Sequence, residues 1–303
     1  FPLPNATGFD NIFLNAAEVQ NRGVELSLGY DNQVGDFTYG ISGNISFIDN
    51  EVISLTDGLE AIERNSNNQF TARNRIEPGS SLFAFYGYQV EGIYQSQEDI
   101  DNGPTPLNGT APGDFRFADV SGPDGTPDGV ITEDDRTFIG DANQDVLYGM
   151  TLRAGYKGFD FSAQFQGVAG NDIWSDTKFL TQSYFRTYNL STAVLNAWTP
   201  DNPSTTTPRA VPNVDSNNDL ASSFFVEDGS YLRLKNLQFG YRLPSSLLDN
   251  LQGLSQVRIY FAGQNVFTIT DYLGYDPEVG QDGFDDVVYP QARSFTLGVQ
   301  VGF

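Results

Sequence analysis

Long segments of this chain alternate between bulky apolar and small polar residues, and this period of two limits the possible folds more than any other feature. From Phe37 to Phe47 the odd positions are almost all bulky and apolar, while the even ones are Thr, Gly, Ser or Asn. Because successive side chains of a strand point to opposite sides of a sheet, such a segment predicts a strand with two unlike faces. Similar segments lie at 24–30, 146–156, 159–166, 256–269 and 294–303, and a mixed one lies at 231–243.

Two all-β architectures fit this pattern, an antiparallel transmembrane β-barrel with long extracellular loops and a soluble β-sandwich. The predicted strands run to roughly 11–14 residues, closer to the length that crosses a tilted bilayer than to the usual globular strand. The connections at 31–36 and 157–158 are tight, whereas those at 50–143, 171–228 and 271–289 are long and polar, which favours the barrel. Aromatic residues collect beside the tight turns, as in an interfacial belt: Tyr30, Phe37, Tyr156, Phe159, Tyr241 and Phe303.

The order of the strands predicts which end of the barrel faces which side of the membrane. If the C-terminus at Phe303 is periplasmic, the turn at 157–158 is periplasmic and residues 50–143 begin and end outside. The β-like segment Ser80 to Ser96 is therefore assigned to extracellular structure, and Ser245 to Leu251 to a helical stub in a turn. Seven spanning strands are too few to close a barrel, so we expect further strands upstream and read the chain, which begins at Phe1, as a fragment or processed piece.

Composition removes several classes of function. The chain has no His and no Cys, which excludes Ser-His-Asp and Cys-His nucleophiles, thiolate zinc sites and disulfides. A net charge of −23 opposes the binding of nucleic acid. The loops are rich in Asp and Glu, but no pair of carboxylates indicates glycosidase chemistry. We expect a protein that is not an enzyme, and an outer-membrane hydrolase is disfavoured by the missing His.

Several motifs, in one order along the chain, resemble the SusC/RagA branch of TonB-dependent outer-membrane transporters. They are Asn21 to Leu26, Gly35 to Phe37, Phe85 to Tyr88, Gly92 to Tyr94, Gly113 to Phe117, Asp135 to Gly140, Trp198 to Pro203, Ser230 to Leu237, Gly263 to Phe267 and Tyr289 to Phe295, with a terminal Phe303. The resemblance runs from about Glu18 to Phe303. It implies a plugged barrel of about 22 strands, of which residues 1–303 would be the C-terminal part without the plug domain.

The resemblance also implies a function and partners. Such transporters import oligosaccharides or peptides across the outer membrane of Bacteroidetes-type bacteria, beneath a SusD-like lipoprotein lid and with energy from TonB. The plug and the part that contacts TonB would belong to the remainder of the same transporter. The main alternative is a soluble, calcium-dependent β-sandwich that binds glycans or mediates adhesion, in which Phe161, Ile259 and Leu297 would be buried together between two sheets.

The C-terminal strand resembles the signal read by the barrel-assembly machinery. Its apolar residues alternate and end on the last residue of the chain: Phe295, Leu297, Val299, Val301 and Phe303. Strand addition would supply affinity through the backbone and specificity through alternate side chains. The simpler alternative is a strand that only closes the barrel.

Residues 124–135 follow the spacing of an EF-hand calcium loop. Oxygen ligands would come from Asp124, Thr126, Asp128, the carbonyl of Val130 and Asp135, with Gly129 at the turn. Position 12 is Asp rather than Glu, which shortens its reach. Pro123 to Pro127 resembles an insertion, which makes Asp119 and Ser121 rival first ligands. The sequence predicts a structural Ca²⁺, with an acidic solvated turn as the alternative.

Aromatic residues in or beside the long loop 171–228 are candidates for contacts with sugar rings or peptide side chains. They are Trp174, Tyr184, Phe185, Tyr188 and Trp198. Packing within the core of the loop explains them equally well.

Overall fold

A computed structural model describes residues 15–64, 73–122, 124–183, 189–211, 216–248, 253–287 and 289–303. Its largest sheet, here called the wall, has seven strands that lie side by side in chain order. Every neighbouring pair is antiparallel. The strands are β1 (Ala17–Val34), β2 (Phe37–Leu55), β3 (Val146–Tyr156), β4 (Phe159–Ala169), β5 (Tyr231–Arg242), β6 (Gln256–Thr270) and β7 (Ser294–Gly302). This up-and-down meander confirms the predicted antiparallel wall of a partial barrel.

The two ends of the wall differ as the sequence predicts. Connections 35–36, 157–158 and 243–255 form the short-turn end, and connections 56–145, 170–230 and 271–293 form the long-loop end. The first turn is tighter than expected, because β1 continues to Val34 and only Gly35 and Asp36 connect it to β2. In the second turn Lys157 and Gly158 both have positive φ, 45° and 89°, as a two-residue hairpin turn that matches the strand twist requires.

One face of the wall is apolar and open. Its bulky side chains are exposed along the strands, including Val24, Leu28, Ile259 and, at 77% exposure, Leu297. Next to the short-turn end, Phe37, Tyr156, Phe159 and Tyr241 stand directly opposite one another on β2 to β5 and form the predicted aromatic belt. Tyr30 does not join this row, because its partner is Ile41, four residues farther along β2 than Phe37.

The mixed pattern of β5 has a structural cause. Leu234 pairs with Phe165 and Asn236 pairs with Gln164, so Lys235 has no partner on β4 and forms a β-bulge. A bulge shifts the alternation by one residue. Leu232 and Leu234 before Lys235 therefore share the apolar face with Leu237, Phe239 and Tyr241 after it.

The three long loops fold together into what we call the cap, the described residues of 56–145, 170–230 and 271–293. Its sheets contain Ile62–Arg64, Asn74–Ile76, Ala84–Tyr88 and Arg136–Asp141; Val226–Asp228, Asp172–Ser175 and Phe284–Asp285; and Val90–Ile93 and Phe115–Phe117. Ala84–Tyr88 pairs with Arg136–Asp141 and not with the wall, so the segment 80–96 does not span with the other strands. Strand Asp172–Ser175 pairs with strands from the second and third loops, which joins these loops.

The helices are short. Gln97–Asp101 and Asp176–Gln182 lie in the cap, and Ser245–Leu248 lies in the turn between β5 and β6, where the helical stub is predicted. Residues 249–251 of that stub lie outside the described residues. In the described part of the chain, no helix has both the length and the apolar character needed to span a membrane.

Candidate functional site: the polar face of the wall and the loops above it

The second face of the wall carries a continuous polar row. Its members are direct cross-strand partners from β2 to β7: Ser42, Thr151, Gln164, Asn236, Gln264 and Ser294. The amide of Asn236 donates to Oε1 of Gln164 at 2.9 Å, and Ser294 donates to Oε1 of Gln264 at 3.3 Å. Such a surface provides hydrogen-bonding groups to water or to a polar solute.

An ion pair crosses this polar face between strands that are not neighbours. Nε of Arg258 on β6 donates to Oδ1 of Asp160 on β4 at 2.8 Å. Gly240 of β5 lies between them, and a Cβ at this position would overlap the guanidinium of Arg258. The missing side chain therefore allows Arg258 to reach across β5.

A buried charge network joins the polar face to the third long loop. Arg233 of β5 is only 2% exposed and donates to Oδ1 of Asp276 at 2.7 Å, to Oγ1 of Thr268 at 2.8 Å and to Glu278. Lys235 of β5 approaches both carboxylate oxygens of Glu278, at 3.2 and 3.1 Å. Two cations of the wall thus face two anions of the loop, so the network is balanced in charge.

The loop side of this network is also anchored by its own backbone. Asp276 accepts hydrogen bonds from the N–H groups of Glu278 and Gln291, both at 2.9 Å. Burial alone would raise the pKa of Asp276, but the hydrogen bonds from Arg233, Glu278 and Gln291 outweigh it, so its pKa lies below the usual value. Asp276 therefore stays ionised at neutral pH and joins both ends of the loop to the wall.

Residues of all three long loops meet around Arg73 in the cap. Arg73 pairs with Asp176 and lies over the rings of Trp174, Phe179 and Phe284, with the nearest ring centre at 4.9 Å. Arg73 belongs to the first loop, Asp176 to the second and Phe284 to the third. One cation thus holds together three segments that are far apart in the sequence.

Acidic residues gather where the loops leave the wall. Asp172 accepts a hydrogen bond from the N–H of Asp141 at 2.9 Å, and its strand partner is Asp228. Burial, together with the nearby charges of Asp228, Asp141 and Asp145, raises the pKa of Asp172 above its usual value. The pKa of Asp145 is raised in the same way, by burial and by Asp141 and Asp49. The base of the cap is therefore stabilised by protonation.

In the predicted calcium loop, two carboxylates accept hydrogen bonds from backbone N–H groups of the loop. Asp119 accepts hydrogen bonds from the N–H groups of Asp128 and Gly129, while the buried Asp135 accepts from Val120, Ser121 and Thr132. Asp124, Thr126 and Val130 are exposed. Within the described ranges, no three acidic side chains form a group that could hold a metal ion. The residues do not form a ready-made cage, and Ca²⁺ at this loop stays a prediction.

The candidate aromatic contacts fall into two groups. Trp174 is fully buried in a cluster with Phe85, Phe179 and Phe225, and Trp198 is buried with its indole N–H donating to Gln95 at 3.0 Å. Both tryptophans therefore pack inside the cap, which is the alternative role considered for them. Tyr184, Phe185 and Tyr188 lie outside the described residues. A role of any of these residues in binding a substrate stays a prediction.

The proposed assembly signal lies at an edge of the wall. Phe295, Leu297, Val299 and Val301 all project from the apolar face of β7 and are exposed, and Phe303 is 92% exposed. Among the described residues, β7 pairs with β6 alone and keeps its other edge free. This arrangement is compatible with strand addition, and the signal itself stays a prediction.

Sequence reasoning missed the network of Arg233, Asp276 and Glu278. Arg233 lies between Leu232 and Leu234 in the segment 230–237, where its neighbours in sequence are apolar. A charged residue in that setting needs a partner, because an unpaired buried charge is strongly destabilising. The signal was therefore present, but the sequence did not indicate which acidic residue would be the partner.

The chain matches curated proteins over its whole length. It is 35% identical to "TonB-dependent receptor P3" of Formosa agariphila over 100% of the chain. It is 29% identical to "TonB-dependent receptor SusC" of Bacteroides thetaiotaomicron over 99% of the chain. It spans only 30% and 28% of the length of these two relatives. No family model matches the chain.

Solved structures give the same result. The whole chain matches 31% of a chain in a structure of the RagAB peptide transporter, with a TM-score of 0.80 and 25% identity. It also matches 31% of a chain of the RagAB peptide importer in its "open-open" state, with a TM-score of 0.78 and 26% identity. Sequence, strand order and fold therefore confirm, along the entire chain, its resemblance to the SusC/RagA branch of TonB-dependent transporters.

Proposed function

We propose that this chain forms part of the wall and outer loops of an importer that carries oligosaccharides or peptides across the outer membrane. One observation carries the proposal: the wall is a single sheet whose bulky side chains are exposed on one face, while the other face bears the polar row from Ser42 to Ser294. Lipid on the apolar side and a water-filled passage on the polar side satisfy both faces at once.

We infer the orientation from the two ends of the wall. The long-loop end, with the cap, lies outside the cell, and the short-turn end with Phe303 lies in the periplasm. The aromatic belt at Phe37, Tyr156, Phe159 and Tyr241 then marks the interface between the outer membrane and the periplasm. The likeness to the RagAB peptide transporter supports peptides as cargo, and oligosaccharides are the alternative that the resemblance to the SusC/RagA branch implies.

The partners follow from the same likeness. A SusD-like lipoprotein would close over the cap, TonB would supply energy through the remainder of the transporter, and the barrel-assembly machinery would insert it. The transporter would act by binding and passage and would catalyse no reaction. The chain's own contribution is the polar face and the loops, since these are what a solute meets on its way.

The soluble β-sandwich requires a different packing of the apolar face. In a sandwich, Phe161, Ile259 and Leu297 would be covered by a second sheet. Ile259 is 44% exposed and Leu297 is 77% exposed, and Phe161 is partly exposed. These exposures contradict the sandwich and favour a face solvated by lipid.

The proposal is tested on the protein in its native cells. We expect it in the outer-membrane fraction, dependent on detergent after extraction, with an electrophoretic mobility that shifts on heating. Uptake of a labelled oligosaccharide or peptide mixture should fall when its gene is deleted and when TonB is removed. Recovery in a soluble fraction without a heat shift would contradict the membrane assignment, and unchanged uptake would contradict the role in import.

A further inference from the structure

The third long loop, 271–293, contacts the wall directly. These contacts are separate from those between loops that hold the cap together. Two of the loop's acidic residues, Asp276 and Glu278, reach the polar face and pair with Arg233 and Lys235 of β5. The hydroxyl of Tyr231, also on β5, donates to Oε1 of Glu278 at 3.0 Å. Three side chains of one strand thus converge on two residues of the loop.

The β-bulge at Lys235 adds a further polar side chain beside this convergence. In a regular strand Arg233 and Lys235 would lie on one face and Asn236 on the other. With Lys235 as the extra residue, Asn236 also lies on the polar face, opposite Gln164, while Lys235 is directed at Glu278. A bulge that re-aims a side chain is a typical feature beside functional sites. Here the bulge brings Asn236 onto the face on which Arg233 and Lys235 already lie.

The balance of charges gives the contact its strength. Arg233 and Asp276 are both buried, so neither can exchange its partner for water without a large cost. Asp276 also accepts a hydrogen bond from the N–H of Gln291, near the far end of the loop. Holding Asp276 therefore fixes the loop at both ends.

We propose that Arg233 and Lys235 latch the third long loop onto the polar face of the wall, so that this loop is a fixed part of the passage rather than a moving gate. The consequence for import rests on the proposed function: the latched loop sets the width of the passage at its outer end. The latch itself concerns only the wall and the loop, and it is tested without any transport measurement.

The chain has no Cys, which allows a single reporter to be placed on the loop. Tyr275 is exposed and precedes Asp276, so Tyr275→Cys carrying a nitroxide spin label reports the motion of the loop. In the otherwise unchanged protein in detergent, we expect one immobilised spectral component. Arg233→Met, which keeps the unbranched stem of the side chain and removes the guanidinium group, should add a mobile component that becomes the larger one.

Glu278→Gln is the second variant, because Glu278 is partly exposed and lies in the loop, so its replacement leaves the strands of the wall unchanged. We expect a smaller mobile component, since Asp276 still holds Arg233. The matched control is Glu63→Gln, which removes an ion pair with Arg75 elsewhere in the cap and should leave the spectrum unchanged.

The outcomes separate the latch from the proposed function. An immobilised spectrum in both Arg233→Met and Glu278→Gln would overturn the latch, whatever the protein imports. If Arg233→Met does not insert into membranes, the spectrum of Glu278→Gln decides in the same way. A loop that is mobile in the two variants and immobilised in the unchanged protein would support the latch, and absent uptake by the unchanged protein would contradict only the role in import.

Discussion

At the scale of single residues, the wall is organised by glycines that let a long side chain cross a strand. Arg258 passes over Gly240 to Asp160. The ring of Tyr148 lies over Gly167, and its hydroxyl donates to the carbonyl of Tyr231 at 3.0 Å. These crossings connect strands that share no backbone hydrogen bonds. At such a position any other residue would overlap the crossing side chain. The glycine is therefore needed for space and not for its own backbone conformation.

The substitution Gly240→Ala tests this role of glycine. The added methyl group would displace Arg258 from Asp160, and we expect the wall to lose about 1–3 kcal/mol of stability. Gly29→Ala is the matched control, because a Cβ there would meet only the Cβ of Ser42 at an ordinary 3.9 Å. Thermal unfolding in detergent measures both variants. Equal melting temperatures for the two would contradict the crossing.

The raised pKa of Asp172 predicts how the stability of the cap depends on pH. Because its pKa is raised in the folded protein, its contribution to stability is complete below about pH 4, the ordinary pKa of Asp, and is lost as the pH rises through the raised value. Asp172→Asn stays neutral and can still accept from the N–H of Asp141. We expect this variant to be more stable at pH 7, by less than about 1 kcal/mol because the group is partly in water.

Unfolding of the cap, followed as a function of pH, measures this effect. The curves of Asp172→Asn and of the unchanged protein should converge near about pH 4. Asp99→Asn is a suitable control, since Asp99 lies in the capping box of the short helix 97–101, away from the acidic cluster. A variant that is less stable than the unchanged protein at pH 7 would contradict the assigned cause.

At the scale of elements, β7 combines a paired edge with an exposed apolar row. Phe303 extends this row beyond the end of the strand at Gly302. If the row is read during assembly, Phe303→Gln should lower the amount of assembled barrel several-fold, because a polar group replaces the terminal apolar contact. Leu273→Gln removes another highly exposed apolar residue, from a loop, and should assemble normally. Normal membrane levels of Phe303→Gln would count against the signal.

The loop 119–135 allows a direct test for calcium. After treatment with a chelator, titration with Ca²⁺ at up to millimolar concentration should release or absorb heat if the loop binds the ion. Asp124→Asn should weaken this binding, because it removes the first ligand of the predicted loop. Asp101→Asn, outside the loop, should not change it. No heat from the unchanged protein would dismiss the site.

At the scale of the whole molecule, the cap is one body built from three loops. The meeting point is Arg73, with Asp176 and Trp174 from the second loop and Phe284 from the third. The loops are separated in sequence by the strands of the wall. Their order is therefore a property of the assembled protein, and the wall must hold the loop ends in place before the cap can pack.

Arg73→Met should loosen all three loops together. We expect faster hydrogen exchange in peptides from each loop and unchanged exchange in the wall, because the half-buried Asp176 and the aromatic rings lose their common partner. Arg75→Met is the matched control: Arg75 pairs with Glu63 and Glu77, both within the first loop, so exchange should change there only. Faster exchange confined to the first loop in Arg73→Met would contradict a shared centre.

Much of the wall could be predicted from the sequence, and little of the cap could. Alternation locates the strands because lipid and water impose opposite demands on alternate residues, as along Phe37 to Phe47. It fails at Lys235, where one extra residue shifts the alternation. Trp174 and Trp198 are candidates for binding on sequence alone because both are aromatic. The sequence does not show that Trp174 packs against Phe85 or that Trp198 donates to Gln95.

The sequence by itself determined which residues form strands, which faces are apolar and which end of the wall carries the long loops. These properties are local, since each follows from the spacing of side chains along one strand. Only the tertiary structure decided that Arg233 would pair with Asp276, that Arg258 would reach Asp160 and that Arg73 would join three loops. Such pairs depend on strand register and on how distant segments approach each other in space, and a single sequence does not specify which of its many acidic residues comes near a given cation.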